Sequence, residues 1–177
     1  PAAAGGVPTP TTTLDALELV PAEKNKALFE KYGVLSHREV ESRHEIVLDQ
    51  YFKTVNIEGE LTADIAATMI LPAAMRYMSD LLAAAERAAD IGLKATGLRA
   101  SLEEVNGLVD ELRVALDALR AQNEELGVDT VHSKSYHMRD NVIPAMNAVR
   151  VVVDRLEKVV PDDIWPLPTY RDMLFVK

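Results

Sequence analysis

The 177 residues contain no cysteine, which excludes thiolate catalysis, cysteine-based zinc sites and disulfide staples. That absence suits a reducing compartment, and a cytoplasmic location is expected. Aromatic residues are scarce, at one Trp, three Phe and five Tyr, so aliphatic side chains and alanine must fill the core. Such a composition favours helix packing over a β-sandwich, which draws on aromatic and β-branched residues. Basic residues are outnumbered, 19 against 28 acidic ones, for a net charge of −9. Phosphate backbones and anionic lipid attract clustered Lys and Arg, so neither nucleic acid nor membrane is an expected partner. No apolar run approaches the roughly 20 residues that span a bilayer. The eight glycines form no phosphate-binding loop and no nucleophile elbow.

What the chain does have is apolar periodicity. Residues 1–20, opening PAAAGGVPTPTTT, read as a linker or irregular N-terminal segment, and residues 21–177 as a helical domain. PAEKNKALFEKYG predicts a short helix with Gly33 as its C-cap. Ser36 and Glu39 have the S-x-x-E spacing of a capping box, and Ser101 and Glu104 repeat it. Behind the first box, Val40, His44, Val47, Tyr51 and Val55 recur at helical spacing, and Leu61, Ile65 and Met69 continue the pattern. Behind the second, Val105, Val109, Leu112, Leu116 and Leu119 step by fours and threes, with Asn123 and Leu126 after them and Gly127 as the stop. A last helix is expected from about Asp129, carrying Val142, Met146, Val149, Val153, Leu156 and Val160 and ending at Pro161. Gly59, Pro72 and Pro144 are candidate helix bends, and the two prolines share an echo, ILPAAM and VIPAM. The expected fold is all-α: an antiparallel helical bundle of three to four long helices with an extended, Pro/aromatic C-terminal tail.

Chemistry is harder to find. Glu41 with His44, and Asp129 with His132, have the i, i+3 spacing of carboxylate–histidine pairs in di-iron bundles. A complete site also needs an inward Glu from each of two further helices, and no Glu interrupts the seam of the 101–126 segment. Asp129 doubles as a natural N-cap. His37 and His44 lie about 10 Å apart along a helix axis, too far to share one ion. His132 and His137 point in different directions. No catalytic, cofactor-binding or metal-ligating residue is therefore assigned. The tail DDIWPLPTYRDMLFVK supplies the one conspicuous cluster of anchors, and Trp165, Leu167, Tyr170, Leu174 and Phe175 are expected to dock it.

Three stretches go further. The segment EKNKALFEKYGVLSHREV…KTVNIEGELT…ILPAAM, the segment HMRDNVIPAMNAVRVVVDRLEKVV and the tail DDIWPLPTYRDMLFVK, in that order, resemble the C-terminal region of glutamine synthetase type III. The resemblance covers roughly residues 20–177. It departs at KTVNIEGELT, where Gly59 stands in a helix that the family keeps tighter. It implies a parent ligase that makes glutamine from glutamate and ammonia with ATP and Mg or Mn, assembled as a dodecamer. It also implies that the catalytic residues lie in preceding domains, so none carries over to this chain. The expected partners are then the parent's catalytic domain and neighbouring subunits, and the expected role is structural. The alternative from the residues alone is a free-standing acidic helical-bundle interaction module.

Overall fold

A computed structural model describes residues 9–125 and 130–174, the side chains of Tyr170 and Arg171 excepted. The described residues form eight α-helices, two π-helical turns and no strand. The chain divides into two compact units, one of residues 1–57 with 126–142, the other of residues 58–125 with 143–177.

The first unit contains α1 (Thr13–Leu17), α2 (Glu23–Lys31), the opening of α3 (His37–Ile65), α6 (Val131–His137) and a π-turn at Met138–Val142. Its buried side chains include Leu14, Val40, Leu48, Val55, Met138 and Val142. The irregular segment expected over 1–20 is broken by α1. Thr12 caps that helix by accepting from the Asp15 N–H, and Leu14 is fully buried. Asp15 also meets Arg139 of the π-turn at 2.8 Å, fixing α1 in place. A pattern search sees only the Thr/Pro composition here, because five residues are too few to show a period.

The second unit holds the end of α3, a π-turn at Ala66–Ile70, α4 (Leu71–Asp90), α5 (Thr96–Glu124), α7 (Ile143–Leu156) and α8 (Tyr170–Leu174). The short 91–95 connection makes α4 and α5 an antiparallel pair, and α5 also packs on α7. All five apolar residues expected on the α5 seam, Val105 to Leu119, are buried, and Leu108 joins them.

Helix ends follow local chemistry. The Ser36 box forms, with the Glu39 carboxylate accepting from the Ser36 N–H at 2.7 Å and the Ser36 hydroxyl from the Glu39 N–H at 3.3 Å. Ser36→Ala is expected to cost about 1 kcal/mol, measurable by denaturant unfolding. Gly33 and Gly92, at φ +63° and +74°, close α2 and α4 with paired bonds back to the last turn, Val34 N–H to Phe29 O and Leu93 N–H to Ala88 O among them. The second expected box is not one. α5 has already begun at Thr96, after a left-handed Ala95, so Ser101 and Glu104 lie inside it. The start expected near Asp129 is capped by Thr130, whose hydroxyl accepts from the Ser133 N–H; Asp129, Leu126 and Gly127 lie outside the described residues. α7 ends at Leu156, short of Val160, and a tightened turn leads to Pro161. The residue before a proline is steered away from helical geometry, which stops the helix early.

The three candidate bends differ. α3 runs as unbroken α-helix through a buried Gly59. Pro72 and Pro144 each stand two residues beyond a π-turn. A proline ring collides with the carbonyl four residues earlier and removes one N–H. A wider turn just upstream accommodates both, so the ILPAAM/VIPAM echo is a repeated backbone device.

On α3 and its extension, the expected row is buried at Val40, His44 and Val55 but not throughout. Leu48, Ala63, Ala66, Ala73 and Ala74 are buried, whereas Val47, Leu61 and Met69 are 39%, 53% and 39% exposed. Small residues let helices approach closely, so the packing face is the alanine face.

Candidate functional site

The histidines expected at metal-pair spacing do meet, though without forming a metal centre. In the first unit, His44 on α3 and His132 on α6 lie with ring centroids 5.4 Å apart, tilted by 57°. Glu18, just past α1, is 3.2 Å from His132 Nδ1. His44 is buried, and its Nε2 has no hydrogen-bond partner. Glu41, the carboxylate paired with His44 by spacing, is engaged elsewhere. It accepts from Lys26 Nζ at 2.7 Å, and Lys26 also reaches Glu23 at 3.2 Å. Asp129 lies outside the described residues. Among the described residues, no group of three or more His, Asp and Glu is arranged to hold a metal ion. The cluster therefore joins α1, α3 and α6, helped by the Ser135 hydroxyl donating to Leu48 O at 3.3 Å. The His44–His132 contact had no signal in the sequence, since no periodicity relates residues on separate helices.

The charged groups of this unit have a directional consequence. Glu41 is held below its ordinary 4.5 by hydrogen bonding to Lys26, and Glu39 by the Ser36 N–H and hydroxyl. Asp15 is lowered from 3.8 by the Thr12 hydroxyl and then by Arg139, and Asp140 by Arg139. A carboxylate lowered in the folded state stabilises the fold above its ordinary value. That contribution disappears as pH falls through the lowered one. Acidification from pH 4.5 downward is thus expected to loosen the first unit, modestly because these pairs face solvent. Hydrogen exchange of α1, α2 and α6 should rise in that window; unchanged exchange would contradict it.

The second unit presents a different surface. A groove of about 380 Å³ runs between the first π-turn region and α7, lined by Ile65, Ala66, Ile70, Met146, Val149 and Val153 among others. Arg150 is its single charged lining residue. A neighbouring depression of about 290 Å³ joins α7 to the tail, with Trp165, Leu167, Pro168 and Met173 on its wall. Trp165 is 8% exposed, and its backbone N–H donates to Pro161 O at 2.9 Å. Leu167 is half-buried. Leu174, expected as an anchor, is instead 78% exposed, on a five-residue helix whose Thr169 and Asp172 cap each other. Phe175 and the Tyr170 side chain lie outside the described residues.

An all-α chain with this tail and no converging catalytic groups among its described residues can be compared with known proteins. The family model described as glutamine synthetase C-terminal domain matches residues 1–89. The chain belongs to that family. A type-3 glutamine synthetase from Dictyostelium discoideum is 31% identical over 176 residues, covering 94% of this chain and 24% of the relative. A glutamine synthetase from Bacteroides fragilis (strain YCH46) is 27% identical, covering 81% of this chain and 21% of its own length. One from Butyrivibrio fibrisolvens is 24% identical, covering 98% and 25%. The chain thus spans about a quarter of the length of these relatives.

Among the described residues, no helix is long and apolar enough to cross a membrane.

Proposed function

We propose that this glutamine synthetase C-terminal domain is a structural part of a larger type III enzyme and performs no catalysis by itself. The whole enzyme would join glutamate and ammonia at the expense of ATP, with Mg or Mn, in the cytoplasm. Its nucleotide, metal and glutamate sites would be built from residues outside this chain. The observation that carries this reading is the alignment with a type-3 glutamine synthetase along 94% of this chain but only 24% of the relative.

In this reading the helical domain packs on the catalytic part of its own chain and shapes contacts with neighbouring subunits of a dodecamer. The tail fastens the domain. Trp165 and Leu167 anchor it beside α7, while the exposed Leu174 is offered to a surface outside this chain. The π-turn before Pro72 sets the path of α4.

The test is an assay of the purified chain for γ-glutamyl transfer with ATP and Mn, beside the longer enzyme that contains it. The longer enzyme is expected to turn over and the isolated domain to give background. Robust turnover by the isolated domain would overturn the reading. Deleting the domain from the longer enzyme should also lower the number of subunits per assembly in light scattering, because subunit contacts are lost.

A further inference from the structure

We infer that the groove between the first π-turn region and α7 is the surface on which an apolar segment of the catalytic part of the same enzyme docks. This deepens the proposed structural role and rests on it.

Four observations converge on the groove. First, its walls at Ile65, Ile70, Met146 and Val153 are apolar, with one charged lining residue in a chain that is 27% charged. Other depressions on the second unit carry mixed charge, such as Arg76, Asp80 and Asp163, or Glu60, Asp64, Arg120 and Glu124. Depletion of charge at the centre of a patch is the compositional mark of a protein interface.

Second, large side chains next in sequence to the lining residues Thr62 and Ile70 are exposed. Leu61 and Met69, one turn to either side of Ile65, are 53% and 39% exposed, while the alanines of the same stretch fill the interior. Third, Leu61, Ile65 and Met69 are spaced as a buried helix row, so the sequence carries a second apolar face that the described residues leave uncovered.

Fourth, about three-quarters of each relative's length lies outside the region this chain matches. A partner on the same polypeptide is present at an effective concentration near millimolar, so a shallow apolar groove suffices to hold it. A separate protein would need a larger patch to bind as firmly.

Methionine oxidation tests the assignment without any substitution. Met146 lines the groove, and Met75 is outside its lining, its sulfur 3.6 Å from Arg113 on α5. The ratio of their oxidation rates by dilute peroxide in the isolated chain sets the reference. In the longer enzyme, Met146 is expected to slow by about threefold or more relative to Met75 against that reference, because a docked apolar segment excludes water.

An unchanged ratio of the two rates in the longer enzyme would overturn the inference, as would selective protection of Met75. Concentration-dependent protection of Met146 in the isolated chain would also overturn it, by placing a second copy in the groove. None of these results touches the proposed function. That reading falls instead if the isolated domain turns over, or if the longer enzyme keeps its number of subunits after the domain is deleted.

Discussion

Leu112→Ala is expected to destabilise the second unit by about 3 kcal/mol, within the range for leucine truncation in a core that cannot collapse onto the gap. Leu112 is 0% exposed and sits midway along α5, the helix packed by both α4 and α7. Removing its isobutyl group takes away apolar transfer energy and leaves a void bounded by helices whose backbones are fixed by their own hydrogen bonds. In thermal unfolding this corresponds to a drop of roughly 6–12 °C for a chain of this size. Val114, two residues on, is 71% exposed, and Val114→Ala should stay within about 0.5 kcal/mol. Equal effects at the two positions would mean that α5 presents a different face from the one described.

Trp165→Ala is the second large effect, expected at about 3–5 kcal/mol for the packing of the tail. Trp165 is 8% exposed and lies in a turn closed by the Ile164 and Trp165 N–H groups on Pro161 O. The ring shares a depression with Val153, Asp154 and Glu157, so its loss frees the tail from α7. Because the chain has one tryptophan, its emission reports this site alone. The folded chain should emit at short wavelength and shift red on unfolding. A solvent-like maximum in the folded chain would remove the basis for the substitution's expected effect. Protease sensitivity after Pro161 should rise in the variant before the rest of the domain unfolds.

The α5 seam was legible because the sequence states it redundantly. Val105, Val109, Leu112, Leu116 and Leu119 are all large and regularly spaced, and all are buried. The Ser36–Glu39 box and the left-handed Gly33 were equally legible, since each solves a backbone problem within a few residues. The α3 row was misread where large and small residues compete. Periodicity gives weight to Leu61 and Met69, yet close helix packing selects Ala63 and Ala66. Ser101 and Glu104 show the complementary error. A capping box requires a chain that is not yet helical, and α5 starts five residues earlier at Thr96.

Of the candidate site, the sequence pointed correctly to a helical part of glutamine synthetase; of the tail anchors it expected, Trp165 is buried and Leu174 is exposed. It paired Glu41 with His44 by spacing, whereas Lys26 on α2 draws the Glu41 carboxylate to itself. It paired neither His44 with His132 nor Asp15 with Arg139. Such contacts join separate helices, and no local rule relates their sequence positions. The groove on the second unit was likewise invisible, because its walls come from the first π-turn region and α7 together.

Composition, periodicity and motif order by themselves determined the helical class, the main seam of α5, the caps at Gly33 and Ser36, and the family. These depend on interactions within a few residues or on the order of residues along the chain. The tertiary structure decided which face of α3 packs inward, which histidine meets which, and which apolar side chains remain uncovered. Those outcomes depend on how closely two helices can approach, and alanine at 63, 66, 73 and 74 governs that distance more than the larger hydrophobes beside it.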